Sequence, residues 1–210
     1  MNIAEKIVRL KQDIDVAFAK GKDSQRLDFW REYQNWGNRR SYYCGFSGKG
    51  WDDVTYNPPY PIVTGVYAND AKQMFYYSDI TSTKVDVVIN INQGTSDYLF
   101  GFCKKLKDIP LLDITNYTGK YSGWFSNCDA LENIKIKGTV KNSGLDFHWS
   151  KNLTAQSIDN IVRALSPDTS GLSVILPYDA LMTHASYYGG PTTTALWQSK
   201  ANWKIEELPV

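Results

Sequence analysis

Two histidines, His148 and His184, and three cysteines, Cys44, Cys103 and Cys128, are the side chains of this chain best suited to acid–base, nucleophilic or metal chemistry. None stands in a pattern that would use it. A histidine acts as a general base only beside a placed partner. His148 lies between Phe147 and Trp149 in a repeat position, which reads as packing or surface. The cysteines are odd in number and form no CxxC, so neither a disulfide framework nor a zinc site is implied. The carboxylate pairs Asp13/Asp15 and Asp52-Asp53 lack any recognisable partner spacing and read as solvated surface. The stretch Gly45 to Gly50 is glycine-rich without Walker spacing and reads as a turn. No HExxH, P-loop, GxSxG or Rossmann fingerprint is present. The expectation is a protein that is not an enzyme and holds no cofactor or metal.

The aromatic side chains are the other chemical resource. They make up 14% of the chain, with 14 Tyr, 7 Trp and 8 Phe, more than one core needs. Exposed Tyr and Trp suit binding surfaces because their rings are rigid and amphipathic, and the same rings stack on sugar faces. The candidate ligand surface is Tyr76, Tyr77, Tyr117, Tyr121, Trp124 and Trp149.

What must position these rings is a repeat. Phe75, Phe100 and Phe125 recur at intervals of 25 residues, and Phe147 follows after 22. Each opens the pattern Phe-x-x-Cys/Ser-x-x-Leu, closed by Leu106, Leu131 and Leu153, with Ile80 one place early in the first copy. A period of about 20–29 residues is that of leucine-rich repeats, in which each strand-plus-turn unit stacks on the next. The expected repeat core is Phe75, Phe100, Leu106, Phe125, Leu131, Phe147 and Leu153. Cys103 and Cys128 share a repeat position with Ser78 and Ser150, so small size is the requirement there. After each Phe motif come β-type apolar runs, at 85–89, 109–114 and 134–136. Pro110 places its run at a sheet edge or a strand start.

The flanks differ. Residues 1–35 read as a helix in which Ile3, Ile7, Leu10, Ile14 and Ala17 are spaced 4, 3, 4, 3, a heptad seam suited to self-association. Residues 36–73 are loop-rich and aromatic and read as an irregular cap over the first repeat. Residues 74–153 are the repeats. Residues 154–210 form a mixed cap: a helix from Thr154 with Ile158, Ile161, Val162 and Leu165 on one face, a strand at 172–176, short helices at 180–184 and 194–200, and a closing strand at 203–208. The fold class expected is α+β: a short leucine-rich-repeat β-solenoid with an N-terminal coiled-coil-like helix and a mixed α/β C-terminal cap.

The run Phe125-Ser126-Asn127-Cys128-Asp129-Ala130-Leu131-Glu132-Asn133-Ile134 resembles BspA-type leucine-rich repeats. The chain also resembles small proteins encoded in phages and prophages of gut Firmicutes. In those, a Phe-Trp-x-x-Tyr-Gln element, here Phe29-Trp30-Arg31-Glu32-Tyr33-Gln34, precedes the repeats. A Leu-Thr-x-x-Ser-Ile helix start, here at Leu153 to Ile158, follows them, and Asn202-Trp203-Lys204-Ile205 closes the chain. The resemblance implies a fold, a genomic setting and a role in adhesion or the virion, and no catalytic residue.

Lys and Arg total 23 against 22 Asp and Glu, so no electrostatic footprint for nucleic acid exists. No run of 18 apolar residues is present, so no membrane insertion is expected. No signal peptide is read at the N-terminus, which implies synthesis in the bacterial cytoplasm and release to a virion or the exterior by lysis or on a carrier. Two functional readings remain. One is a non-enzymatic phage or prophage structural or host-adhesion protein, assembled as a homo-oligomer, a trimer in preference, with other virion proteins and a host surface glycan or protein as partners. The other is a stand-alone carbohydrate-binding or adhesin module using exposed Tyr and Trp.

Overall fold

The computed structural model describes residues 44–53, 55–64, 71–91, 96–184, 198–200 and 202–208, with Arg9, Gln12, Asp13, Trp30 and Leu196. The seam residues Ile3, Ile7, Leu10, Ile14 and Ala17 lie outside the described residues, as do residues 194, 195 and 197 of the expected helix at 194–200.

A 25-residue sequence period becomes a 25-residue register. The strands β1 (Ile62–Val63), β2 (Val87–Val88), β3 (Asp108–Asp113) and β4 (Asn133–Lys137) form one parallel sheet in that order. Ile62 pairs with Val87, Val87 with Leu112, and Ile109 with Ile134. Each strand therefore sits one coil above the last, and the chain is a β-solenoid of about four turns. Pro110 is neither at an edge nor at a strand start. It lies inside β3, an interior strand, where the register slips between Ile109 and Leu112. The bulge absorbs one extra residue on β3, which is how a residue without an N–H is accommodated mid-sheet.

The opposite wall is a ladder of turns. In three coils the phenylalanine N–H donates to the carbonyl of the residue just before the next coil's phenylalanine: Phe46 to Met74 (2.7 Å), Phe75 to Leu99 (2.9 Å) and Phe100 to Trp124 (3.0 Å). The rings follow the backbone. Phe46, Phe75, Phe100, Phe125 and Phe147 stack in sequence, with centroids 5.0, 5.0, 5.6 and 4.4 Å apart and planes within 23°. All five are fully buried, as are Ile80, Leu106 and Leu131, and Leu153 is nearly so. Fully burying one such side chain contributes about 1.5–3 kcal/mol, so this column is the main apolar support of the stack.

Phe46 corrects the expectation for residues 36–73. The described part of that stretch is itself a coil, because its turn at 44–50 stacks on 71–77 and its strand β1 pairs with β2. The Phe46-to-Phe75 interval is 29 residues and lacks the Cys/Ser and Leu positions, which hides it from the period.

Beyond β4 the pattern changes. Helix α1 (Ala155–Ala164) occupies the place of a next strand, N-capped by Thr154 and burying Ile158, Ile161 and Val162. The strands β5 (Leu145–Asp146), β6 (Leu172–Pro177) and β7 (Trp203–Leu208) form a second parallel sheet. Parallel neighbours need crossovers. Here α1 lies between β5 and β6, and α2 (Tyr178–Thr183) between β6 and β7.

Candidate functional site

Among the described residues, most of those suited to chemistry are engaged by the fold, while the buried Nδ1 of His148 has no hydrogen-bond partner. His184 is buried, and its Nε2 lies 3.1 Å from Asp159 Oδ1, tying α2 to α1. The His148 ring meets Trp149 edge-on at 5.1 Å. Asp52 accepts from the Thr55 N–H at 2.9 Å, closing its own turn. Asp53 takes both the N–H (2.9 Å) and the hydroxyl (2.6 Å) of Thr81 in the next coil. Cys103 and Cys128 are buried free thiols. Their Sγ atoms donate to Phe75 O (2.8 Å) and Phe100 O (3.1 Å), so each links one coil to the one before. Among the described residues no group of three His, Cys, Asp or Glu is arranged to hold a metal ion, and no helix is long and apolar enough to cross a membrane.

Three expected ligand-facing rings are interior. Tyr117, Tyr121 and Trp124 are each at most 2% exposed and pack on one another at centroid distances of 4.9–5.3 Å. Their polar ends are satisfied inside. Trp124 Nε1 donates to Ser96 Oγ (3.0 Å), Ser96 Oγ to the Tyr117 hydroxyl (2.7 Å), and that hydroxyl to Lys120 O. Burial pushes the Tyr117 phenol up to about 12, against the Ser96 hydrogen bonds, and raises that of Tyr121 too. These three rings fill a core and are withdrawn from the ligand surface.

The surface aromatics collect elsewhere. Tyr76, Tyr77, Tyr98 and Phe102 form one cluster on the turn wall. Tyr77 stacks on Phe102 at 4.8 Å and 16°, and Tyr76 meets Tyr77, Tyr98 and Phe102 edge-on at 4.7, 5.8 and 5.5 Å. Tyr77 is 42% exposed and Tyr98 39%. Burial, and then the neighbouring Tyr77 and Tyr98, raise the Tyr76 phenol above its ordinary value. Trp149 is equally exposed and keeps the same offset from Phe147 that Tyr77 and Phe102 keep from Phe75 and Phe100.

The backbone beneath this cluster is unusual. Tyr77, Tyr98 and Phe102 have φ of +61°, +56° and +63°. A bulky L-residue pays roughly 1–2 kcal/mol for that left-handed conformation, and glycine or asparagine is the usual occupant. The left-handed turn recurs in the flanking coils: Gly48 and Asn127 continue the row of Tyr77 and Phe102, and Cys44, Gln73 and Gly123 share that of Tyr98. The two middle coils alone place large rings there.

Sequence reasoning reached Tyr76, Tyr77 and Trp149 but missed Tyr98 and Phe102. No local pattern marks them: period-2 alternation would place residues two positions from Phe100 on its own face.

Comparison with family models, curated proteins and solved structures returns no match for the chain.

Proposed function

We propose that this chain is a non-enzymatic host-adhesion protein of a phage or prophage particle. The solenoid presents the turn wall as its binding surface, and the N-terminal residues Ile3, Ile7, Leu10, Ile14 and Ala17 assemble copies into a trimeric, fibre-like unit or attach it to other virion proteins. The observation that supports this reading is the Tyr76–Tyr77–Tyr98–Phe102 cluster. It exposes Tyr77 and Tyr98, with Phe102 beside them, in a left-handed backbone conformation that bulky side chains seldom adopt. Local strain of this kind is concentrated at sites that serve function rather than stability. Exposed rigid aromatics are also the side chains that dominate recognition energies. The genomic setting rests on the resemblance to small phage and prophage proteins.

The test is co-sedimentation of the full-length protein with cell envelopes from a panel of gut Firmicutes. The wild-type protein sediments with at least one envelope, and the Tyr77→Gly/Tyr98→Gly variant stays in solution. A wild-type protein that sediments with none, or a double variant that sediments equally well, overturns the reading.

A further inference from the structure

We infer that the aromatic cluster is a stacking platform for hexopyranose units of an envelope polysaccharide, with Tyr98 as its principal ring. The inference rests on the adhesion reading and names the ligand class of the same surface.

The geometry around Tyr98 carries it. The ring lies against two glycines of successive coils. A Cβ built on Gly123 would fall 2.6 Å from Tyr98 Cδ1 and Cε1, and one on Gly101 would fall 3.0 Å from Cδ1. A side chain at Gly123 would displace the ring, and one at Gly101 would press on it. Gly123 also has a φ of +65°, whereas Gly101 has no backbone need to be glycine, since its φ lies outside the left-handed region. A Cβ on Gly101 would meet the Tyr98 side chain first and the Gly123 carbonyl, at 3.3 Å, next. The result is an aromatic ring laid down on backbone yet left 39% exposed. Tyr76 fixes it edge-on from one side.

The surroundings favour a sugar over a charged partner. Beside the rings stand hydroxyl and amide residues: Gln73, Ser126 and Asn127 occupy the adjoining turn positions. The charges on the adjoining turns are paired, Lys72 with Asp97 at 3.6 Å and Lys105 with Asp79 at 3.1 Å. A pyranose offers an apolar C–H face to a ring and equatorial hydroxyls to amides, which matches a neutral aromatic surface with a polar border. Rings on neighbouring coils repeat along the stack, as sugar units repeat along a chain.

The experiment uses the full-length protein and three arms. First, envelopes that bind it are digested with protease. Second, polysaccharide released from the same envelopes competes in the sedimentation assay. Third, Tyr98→Leu and Tyr98→Trp are compared with wild type, with thermal midpoint and light scattering recorded for each. The expected result is that digested envelopes still bind and released polysaccharide competes. Tyr98→Leu then weakens binding at least tenfold with midpoint and oligomer unchanged, while Tyr98→Trp stays within threefold. Loss of binding after protease, or no competition by polysaccharide, makes the ligand a host protein: the adhesion reading stands and the sugar inference falls. A change of oligomeric state in Tyr98→Leu makes the cluster a contact between copies and also overturns it. Absence of binding to every envelope removes the adhesion reading itself.

Discussion

The Ile134 N–H donates to the side chain of Ser157 at 3.0 Å, where a next strand would have offered a carbonyl. The same Oγ donates to Glu132 O at 2.9 Å, and Asn160 Nδ2 donates to Ile134 O at 3.2 Å. Side chains of α1 thus imitate an edge strand and close the sheet, which would otherwise present unpaired backbone to other chains. Ser157→Ala removes the partner of the buried Ile134 N–H, while Glu132 O keeps the Thr154 N–H at 3.0 Å. Leaving such a group unsatisfied costs about 1–3 kcal/mol. Urea denaturation of the variant should show a loss in that range. An unchanged midpoint would mean that the helix closes the sheet by packing alone.

The stacked phenylalanines set the largest single-site cost. Phe100 lies between Phe75 and Phe125, at 5.0 and 5.6 Å, with no exposed surface. Emptying a packed aromatic site destabilises by about 3–5 kcal/mol, because the cavity does not fully collapse. Phe100→Ala should show this loss in a thermal melt, and Phe100→Leu a smaller one. Equal melting of wild type and Phe100→Ala would remove the ladder as the chief support.

How far the fold was legible follows from what a period can encode. Phe75, Phe100 and Phe125 announce the coil because stacking on identical neighbours demands equal spacing. Phe46 obeys the same demand in space, yet its coil makes a longer excursion before Phe75, so the interval conceals it. Pro110 was legible as an irregularity but not as a bulge, since the slip depends on pairing with β4. Tyr117, Tyr121 and Trp124 were misread because a buried polar partner, Ser96, satisfies Tyr117 and Trp124 from more than twenty residues away. No local pattern carries that information. The sheet closure by Ser157 was equally hidden: a serine in a helix reads as a weak helix former until its partner strand is in view.

The buried thiols make stability depend on alkaline pH. Burial pushes the Cys103 thiol up to about 12, with the Ser78 hydrogen bonds acting in the opposite sense. Cys128 is raised well above its ordinary value, by burial and then by Cys103. The unfolded chain loses these protons near the ordinary value of 9.0 while the folded chain keeps them. The unfolded state is therefore favoured as pH rises past 9, by about 1.4 kcal/mol per pH unit for each thiol. The full contribution is present below that value. Denaturation measured between pH 8 and 10 should show the decline, and Cys103→Ser should reduce its slope by the share of one thiol. Serine already occupies the equivalent positions Ser78 and Ser150, so the fold should tolerate it at modest cost. A slope unaltered in Cys103→Ser would contradict the assignment.

The strained aromatics should be dispensable to the fold. Tyr77→Gly relieves a φ of +61°, worth roughly 1–2 kcal/mol. It also forfeits the ring contacts with Phe102 and Tyr76, worth about 0.5–1.5 kcal/mol each. The gain and the losses nearly cancel. Tyr77→Gly and Phe102→Asn, the latter copying Asn127, should both melt within about 1 kcal/mol of wild type. A loss above about 2 kcal/mol, in the range of an emptied core site, would assign these rings to stability and leave the strain without a functional reason.

Assembly is the last consequence, and it turns on the seam. Ile3, Ile7, Leu10, Ile14 and Ala17 keep a 3.5-residue spacing, which on a helix would place them along one narrow stripe. A stripe that narrow is covered best by an identical stripe on another copy. Left in water, each large apolar side chain forfeits about 1.5–3 kcal/mol. Ile7 and Leu10 hold the centre of the stripe. Charge there would have to be buried unpaired in any assembly, a cost that association cannot absorb. The full chain should therefore scatter light as an oligomer, a trimer in preference, and Ile7→Asp/Leu10→Asp as a monomer. Envelope binding per subunit should survive in the double variant, because Tyr98 and its neighbours lie far along the chain from the seam. Avidity should fall, since linked sites rebind at high effective concentration. A wild-type chain that is monomeric at micromolar concentration would dissolve the fibre-like arrangement, and recognition would then belong to single solenoids.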